Sequence, residues 1–554
     1  MLEKIKEKEK RKNLRDLIAK LLVAFLIIQP ILDIYMVLCD DKIQLMGMSL
    51  ATILRFAWIG IMTLLTIILA RKRKNTKFLI GYFVLVGIYA IFHHINSLKL
   101  DINMLNDEVN YSFLGEMFYL VRMLVPMCLI YIAYNIKPKY KEMKIVVVTV
   151  VIIMSLSMLI TNLLGIDHIS YSLTPIHPHG NILSWFSGDQ AAEAWRNYSS
   201  KGLFDAGNEI SAIFVILLPI AIYIALKEKK LWYFLVPTLQ LIAMLMSSTR
   251  ISVLGAVGIT VGMFVLYVLM CLWNKKKIQI SKIIAMCFML VIFAIFFVNS
   301  PFELRKKVEG INISYNNIQD DKKEEKKKEV PIKKEFKNEE EKYQYIKENA
   351  EAGILNEAFT NEIYPYQKDP DFWIHVVNEE EPWKYAENRG LKTLLLARVQ
   401  ERNQNPMDKY LGMSFMKISS FLWPERDFQA QYYYLGYIGL ILLILPYVAI
   451  LLYTVIRVLL NLKEKCNMKH AVYIAALLFG LVAGYYSGHV LDELFPTVYL
   501  GTIAGICLNN AREEKELMEE PEEEEGTLKL QETIAKWKEK VPVYTGKKKI
   551  EKEK

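Results

Sequence analysis

The chain has 554 residues, 53% of them hydrophobic and 23% charged, with a formal charge of +9. Most of that charge is packed between recurring apolar runs of about 20 residues, the length an α-helix needs to cross a bilayer core of about 30 Å. The pattern is that of a multi-pass membrane protein. It excludes a large soluble enzyme, a secreted disulfide scaffold and an outer-membrane barrel, whose strands would alternate over about 10 residues.

The basic start, MLEKIKEKEKRKNLRDLIAK, resembles a signal n-region. The apolar run after it is long, carries Gln29, Pro30 and Asp33 and lacks a small-residue cleavage pattern, so a retained first span is expected. Twelve transmembrane helices are expected, at 17–38, 47–70, 77–95, 114–134, 144–164, 209–227, 231–247, 250–273, 280–298, 432–457, 469–487 and 490–508. The all-α chain thus divides into nine spans (1–298), a large, partly helical extracellular loop (299–431), three spans (432–508) and a tail (509–554). In the loop, DDKKEEKKKEVPIKKEFKNEEEKYQYIKEN reads as solvated helix or disorder. LKTLLLARVQER (391–402) has helical apolar spacing, and FWIHVV, PWKY and SSFLWPERDF bring groups able to lie on a membrane surface or cap a cavity. The tail, with its EEPEEEE run, reads as cytoplasmic and partly disordered.

Orientation follows from the lysine and arginine bias of the short connections. Those at 71–77, 135–144, 227–230, 274–282 and 457–469 hold twenty Lys or Arg, and those at 39–46, 93–113, 165–208, 247–250 and 485–489 hold five. The two sets alternate, so both termini are expected in the cytoplasm and the long loop outside. The six cysteines lie in or beside apolar segments with no CxxC pair, which suggests neither a zinc site nor a disulfide framework.

A charge inside a span is costly and calls for a partner or a function. On this orientation Arg55 and Arg122 lie about 12 Å below the outer boundary, at 1.5 Å per residue. Asp33, Glu116, Asn208, Glu209, Arg250, His489, Asp492 and Glu493 also fall at outer ends or in outer halves, and the inner halves are nearly without such residues. This one-sidedness argues for a hydrated cavity opening outward rather than an ion path through the membrane. Arginine grips phosphate with a planar fork that stays charged, so three arginines on that cavity suit a diphosphate. The alternative is that Arg55 and Arg122 pair with Asp33 and Glu116 to lock helices together, and that Arg250 is an interfacial anchor.

Several local patterns fit one family. GLFDAGNEISAIFVILLPIAIYIAL (202–226) looks like a G-x-F-x-x-x-N segment leading into a proline-bearing span, and MSSTRISVLGAVGITVGM (246–263) places Arg250 and Leu254 in an R-x-x-x-L pattern. PERDFQAQYYYLGYIGLI (424–441) ends in G-x-x-G at Gly436 and Gly439, and SGHVLDELFPTVYLG (487–501) looks like a last span. In their order and spacing these segments resemble the O-antigen ligase and polysaccharide polymerase family of multi-span glycosyltransferases, in its Gram-positive form. The resemblance covers spans one to twelve but neither the charged half of the loop nor the tail. It departs at one point. Eleven residues before the first glycine of G-x-x-G the ligases commonly carry histidine, and here stands Glu425, with Asp427 two residues on.

The resemblance implies an undecaprenyl-diphosphate-linked glycan donor in the outer leaflet and a glycan, wall-polymer or lipid acceptor. The acceptor's hydroxyl attacks the anomeric carbon as the lipid diphosphate leaves. It assigns Arg250 to the diphosphate, with Arg122 and Arg55 as supporting cations and Arg398 or Arg402 as loop residues closing over it. Glu425 or Asp427 is the expected base, if burial lifts its pKa toward neutrality. His489 is a second candidate for base or orienter, or else a packing histidine. No cofactor or metal is required, no nucleic-acid partner is implied, and the His177, His179 pair is a poor ligand set. The competing reading is a transporter or flippase of lipid-linked saccharides, which would place polar residues deep in both membrane halves. A third, a receptor with a ligand-binding loop, leaves the buried arginines unexplained.

Overall fold

The computed structural model describes residues 2–512, apart from 40–43, 46–47, 72, 106–108, 110, 173, 188–191, 276, 309–331, 334, 382–384 and 386–387. The tail, the most charged stretch of the loop and most of PWKY lie outside the described residues. Through Ala511 the chain forms one compact unit. Among the described residues it is mainly helical, with a two-stranded ribbon pairing Gln44–Leu45 with Met48–Ser49. Helices satisfy their own backbone groups where no water can, which is why apolar runs of this length fold this way.

The helices before the loop are α1 (Leu2–Cys39), α2 (Leu50–Ala70), α3 (Lys74–Ser97), α4 (Phe113–Val121), α5 (Leu124–Ile136), α6 (Tyr140–Leu163), α7 (Gly207–Lys227), α8 (Leu235–Ser247), α9 (Arg250–Trp273) and α10 (Ile280–Phe297). The loop adds α11 (Glu339–Glu351), α12 (Pro370–Glu379), α13 (Asn388–Arg402) and α14 (Phe415–Phe421). After it come α15 (Asp427–Leu460), α16 (Met468–Tyr486) and α17 (Leu494–Arg512). Among the described residues ten helical segments are long and apolar enough to cross a membrane, with α4 and α5 forming one of them. The other two expected spans are present in altered form. The seventh is a shorter apolar helix, Leu231–Ser247. The twelfth starts at Leu494, because 487–493 form a turn rather than helix.

Helix α7 is the axis of the bundle. It is hydrophobic all round and buried from Glu209 through Leu226, packed by α9, α16, α8 and α6. The outer helices show the reverse pattern. On α10, Ile280, Ile284, Phe288, Val291 and Ile295 recur every three or four residues and are all half exposed or more, a stripe fit for lipid contact.

Three irregularities set up the loop-side end. Pro126 lacks the N–H that would reach the Arg122 carbonyl, and the helix breaks there; Val125 N donates to that carbonyl at 3.2 Å instead. Between α8 and α9, Ser248 takes a left-handed turn (φ 53°) and the Thr249 hydroxyl caps Ser252 N, which makes Arg250 the first residue of α9. In α15, Gly436 has φ 64°, and a Cβ there would collide with the backbone of Tyr410 and Gly412. The first glycine of G-x-x-G therefore lets the loop backbone press against the span.

The loop is a folded layer with its own core. Leu391, Leu395, Leu396 and Val399 of α13 are buried, as the apolar spacing of 391–402 leads one to expect, together with Phe372, Trp373 and Val376 of α12. The charged segment, expected as solvated helix or disorder, is helical in its described part. Residues 339–351 form a docked helix, capped by the Asn338 side chain and burying Tyr345 and Ile346. Buried polar bonds tie this layer to the bundle. Glu116 accepts from Ser414 Oγ (2.7 Å), Phe415 N (2.8 Å) and Met416 N (2.9 Å), and its other contact is His93 Nε2 at 2.8 Å. Lys417 Nζ donates to the carbonyls of Ser97 (2.7 Å) and Leu100 (2.8 Å).

Candidate functional site

Four arginines from four separate segments meet around Tyr171. The Tyr171 hydroxyl donates to the Ser248 carbonyl (2.9 Å), in the turn before α9, and accepts from Arg305 Nη1 (2.7 Å). The guanidinium of Arg305 lies 4.7 Å from the centroid of the Trp195 ring, and that of Arg196 lies 5.5 Å from it. Arg250 and Arg389 act electrostatically on the same phenol. Burial still pushes the Tyr171 hydroxyl above its ordinary pKa against the opposing pull of all four cations. Arg250 adds the N-terminus of α9, whose dipole also favours an anion. We term this group the cationic collar.

Beside it lies a carboxylate. Glu425 is ion-paired with Arg389, and Lys392 Nζ stands 3.7 Å from it. Burial acts to raise the Glu425 carboxyl, but Arg389 and Lys392 outweigh it and hold it below the usual carboxylate range. That is opposite to the upward shift expected of a base at this position. His489 also acts on Glu425 electrostatically, and its own Nδ1 lies 3.8 Å from Asp492 Oδ2.

The turn carrying His489 is held by Asp427. Its carboxylate accepts from the backbone N–H of His489 (2.6 Å), Val490 (2.9 Å) and Leu491 (2.7 Å). Gly488 has φ 82°, where a Cβ would strike the Glu425 carbonyl, and His489 itself has φ 61°. A non-glycine residue in this region is uncommon, and the surroundings must hold it there. Asp427 is fully buried as it holds the turn.

The other expected residues separate. Arg250 lies in the collar. Arg122 does not; its Nη1 donates to the Asp492 carbonyl at 2.5 Å. Arg55 is 3% exposed, donates to Gln29 Oε1 at 2.9 Å and lies 3.8 Å from Asp33, so it locks α1 to α2 as the alternative reading had it. Arg122 has no pairing with Glu116, which is taken up by His93 and the loop. Arg398 bonds Asp369 (2.9 Å) and Glu401 (2.8 Å), and Arg402 bonds Tyr364 (2.8 Å) and the Lys368 carbonyl (3.2 Å). Both thus bond within the loop layer. The collar joins Arg250 with three arginines that sequence reasoning missed, Arg196, Arg305 and Arg389. These lie outside the spans and carry no depth signal; only the aromatic neighbours Tyr171 and Trp195 hint at them.

A family model described as "O-antigen ligase like membrane protein" matches residues 15–514. Neither the curated proteins nor the solved structures yield a match.

Proposed function

The chain belongs to the O-antigen ligase like membrane proteins, and from that premise we propose that it transfers a glycan from an undecaprenyl-diphosphate carrier to an acceptor hydroxyl at the outer face of the membrane. The observation that carries this reading is the collar. Four guanidinium groups around Tyr171, at the first turn of α9, form a site for a dianionic leaving group. The lysine and arginine bias of the connections supports an outward orientation of that side.

In this reading the acceptor oxygen attacks the anomeric carbon, forming the new glycosidic bond. The bond to the carrier's diphosphate breaks and its electron pair leaves with the phosphate oxygen. The collar neutralises the charge that develops there, and because its cations are already in place they need little reorganisation. The acceptor proton goes to His489, whose Nδ1 lies 3.8 Å from Asp492 and which also acts electrostatically on Glu425. Glu425, held ionised by Arg389 and Lys392, is close enough to His489 for the two to act on each other electrostatically. Asp427 fixes the turn by accepting from three of its backbone N–H groups.

The test is transfer by purified chain in lipid nanodiscs with a lipid-diphosphate-linked donor. Arg250→Ala is expected to lower kcat/KM by roughly 10²–10³-fold, as loss of one preorganised charge stabiliser does. Arg250→Lys should recover only part of it, since an ammonium cannot form the paired fork. Wild-type rates in Arg250→Ala would overturn the assignment.

A further inference from the structure

The collar stands at the head of one helix face. The Tyr171 hydroxyl and Arg305 Nη1 both donate to the Ser248 carbonyl, at 2.9 and 3.5 Å, and Arg250 follows two residues on as the first residue of α9. From there Leu254, Val257, Val261, Val265, Leu269 and Leu272 recur at helical spacing, and each is at least 42% exposed. The opposite face is the packed one, with Ile251, Ile259 and Met263 at most 8% exposed. Arg250 to Leu272 is roughly 33 Å at 1.5 Å per residue, about the thickness of a bilayer core. Leu254, which closes the R-x-x-x-L pattern, thus faces out of the bundle directly below the collar.

Glycines of α9 divide in the same way. Gly255 serves packing, since a Cβ there would lie 2.6 Å from Val215 Cγ2 of α7. Gly258 and Gly262 are exposed, and a Cβ at either would meet nothing within 4 Å. Glycine weakens a helix interior, and among the described residues no neighbour demands it at these two positions. They leave a gap beside the ridge of Leu254, Val257, Val261 and Val265, open to the bilayer.

We propose that this face of α9 seats the polyprenyl tail of the donor, a role that rests on the proposed transfer and adds where the tail lies. Cations at the helix start and an unbroken apolar face leading from them follow the order of charge and hydrocarbon in a lipid diphosphate. The bilayer is as apolar as the face, so the tail gains no hydrophobic free energy by leaving lipid for protein. The seat works through van der Waals packing. What it supplies is orientation, because a tail laid along α9 brings the diphosphate to Arg250 from one direction. Its effect on turnover is accordingly fewfold, far below that of the collar itself.

The experiment uses the full chain in phosphatidylglycerol nanodiscs and two donors with the same glycan diphosphate, one on an undecaprenyl and one on a geranyl tail. In the Gly258→Leu, Gly262→Leu double variant the new side chains enter open space and fill the gap. The ratio of KM for the long donor to KM for the short one is expected to rise about three- to tenfold with kcat unchanged, as when uniform binding is lost. A photoreactive amino acid in place of Val261 should crosslink the long donor, and unlabelled donor should compete although phosphatidylglycerol is in excess. The same group in place of Val84, 58% exposed on α3, should not crosslink it. An unchanged KM ratio, or equal crosslinking from both positions, overturns the seat. So does a dimeric wild type whose double variant is monomeric, which gives the face to a second copy. Wild-type turnover without a crosslink at Val261 overturns the seat and leaves the transfer standing. A competed crosslink at Val261 in a chain that turns over neither donor does the reverse.

Discussion

The collar and the acidic group of Asp427 and Asp492 are adjacent yet built on opposite principles. The collar is assembled from connections and a helix start, around aromatic rings, and Arg196 is exposed there. The acidic group is assembled from α15 and from the turn before α17, and Asp427 and Asp492 are buried. A large anion with a lipid tail needs a site open at its side. Carboxylates withdrawn from water need partners close by. The two meet at one seam, where Glu425 touches Arg389 on one side and the His489 turn on the other.

Breaking the seam should have the largest effect. In Gly488→Ala the new Cβ would enter the Glu425 carbonyl while the backbone is held at φ 82°. The turn cannot keep both its own shape and its grip on Asp427. We expect destabilisation of more than about 4 kcal/mol, the range of strained backbone and broken buried networks. Thermal unfolding in detergent should show it, and transfer should be absent from whatever folded fraction remains. A stable, active Gly488→Ala chain would mean the two regions work independently.

A milder change removes the charge at the seam and leaves the backbone alone. Glu425 is held below its ordinary value, so the stability it contributes is fully present above the unfolded carboxylate value of 4.5 and is lost as pH falls through the lower native value. Near neutrality the pair is constant. Wild-type thermal stability should therefore decline on the acid side of about pH 4.5 with a component that Glu425→Gln lacks. The pair is partly exposed, and its removal should cost only about 1 kcal/mol at pH 7. Identical acid limbs in the two proteins would show that the Arg389–Glu425 contact contributes nothing.

The sequence made the scaffold legible and the site only partly so. Apolar runs announce spans because the bilayer demands them, and Arg250 stood out because it starts one. The G-x-x-G glycines were visible as a pattern, although the reason for Gly436, the loop backbone pressed against it, is tertiary. Depth alone does not reveal that Arg55 bonds Gln29 and lies beside Asp33 on the neighbouring helix. Arg196, Arg305 and Arg389 were illegible for a different reason. They are far apart in sequence and lie in polar connections, where an arginine is ordinary, and only the folded loop brings them to Tyr171.

The smallest effect on transfer should come from Arg398, which sequence reasoning had set over the ligand. Its guanidinium holds Asp369, a buried carboxylate that also caps α12 through Phe372 N. Arg398→Ala leaves that charge short of a partner, although Arg402 Nη1 remains 3.4 Å from it. A loss of about 1–3 kcal/mol in loop stability follows from an under-satisfied buried acceptor. Hydrogen exchange in 369–402 should report it, while kcat/KM of the folded chain stays within about twofold of wild type, because surface changes remote from a site seldom reach it. Should Arg398→Ala instead cost as much transfer as Arg250→Ala, the loop arginines would belong to the collar after all. The boundary between its two kinds of arginine, those around Tyr171 and those around Asp369, would then have to be redrawn.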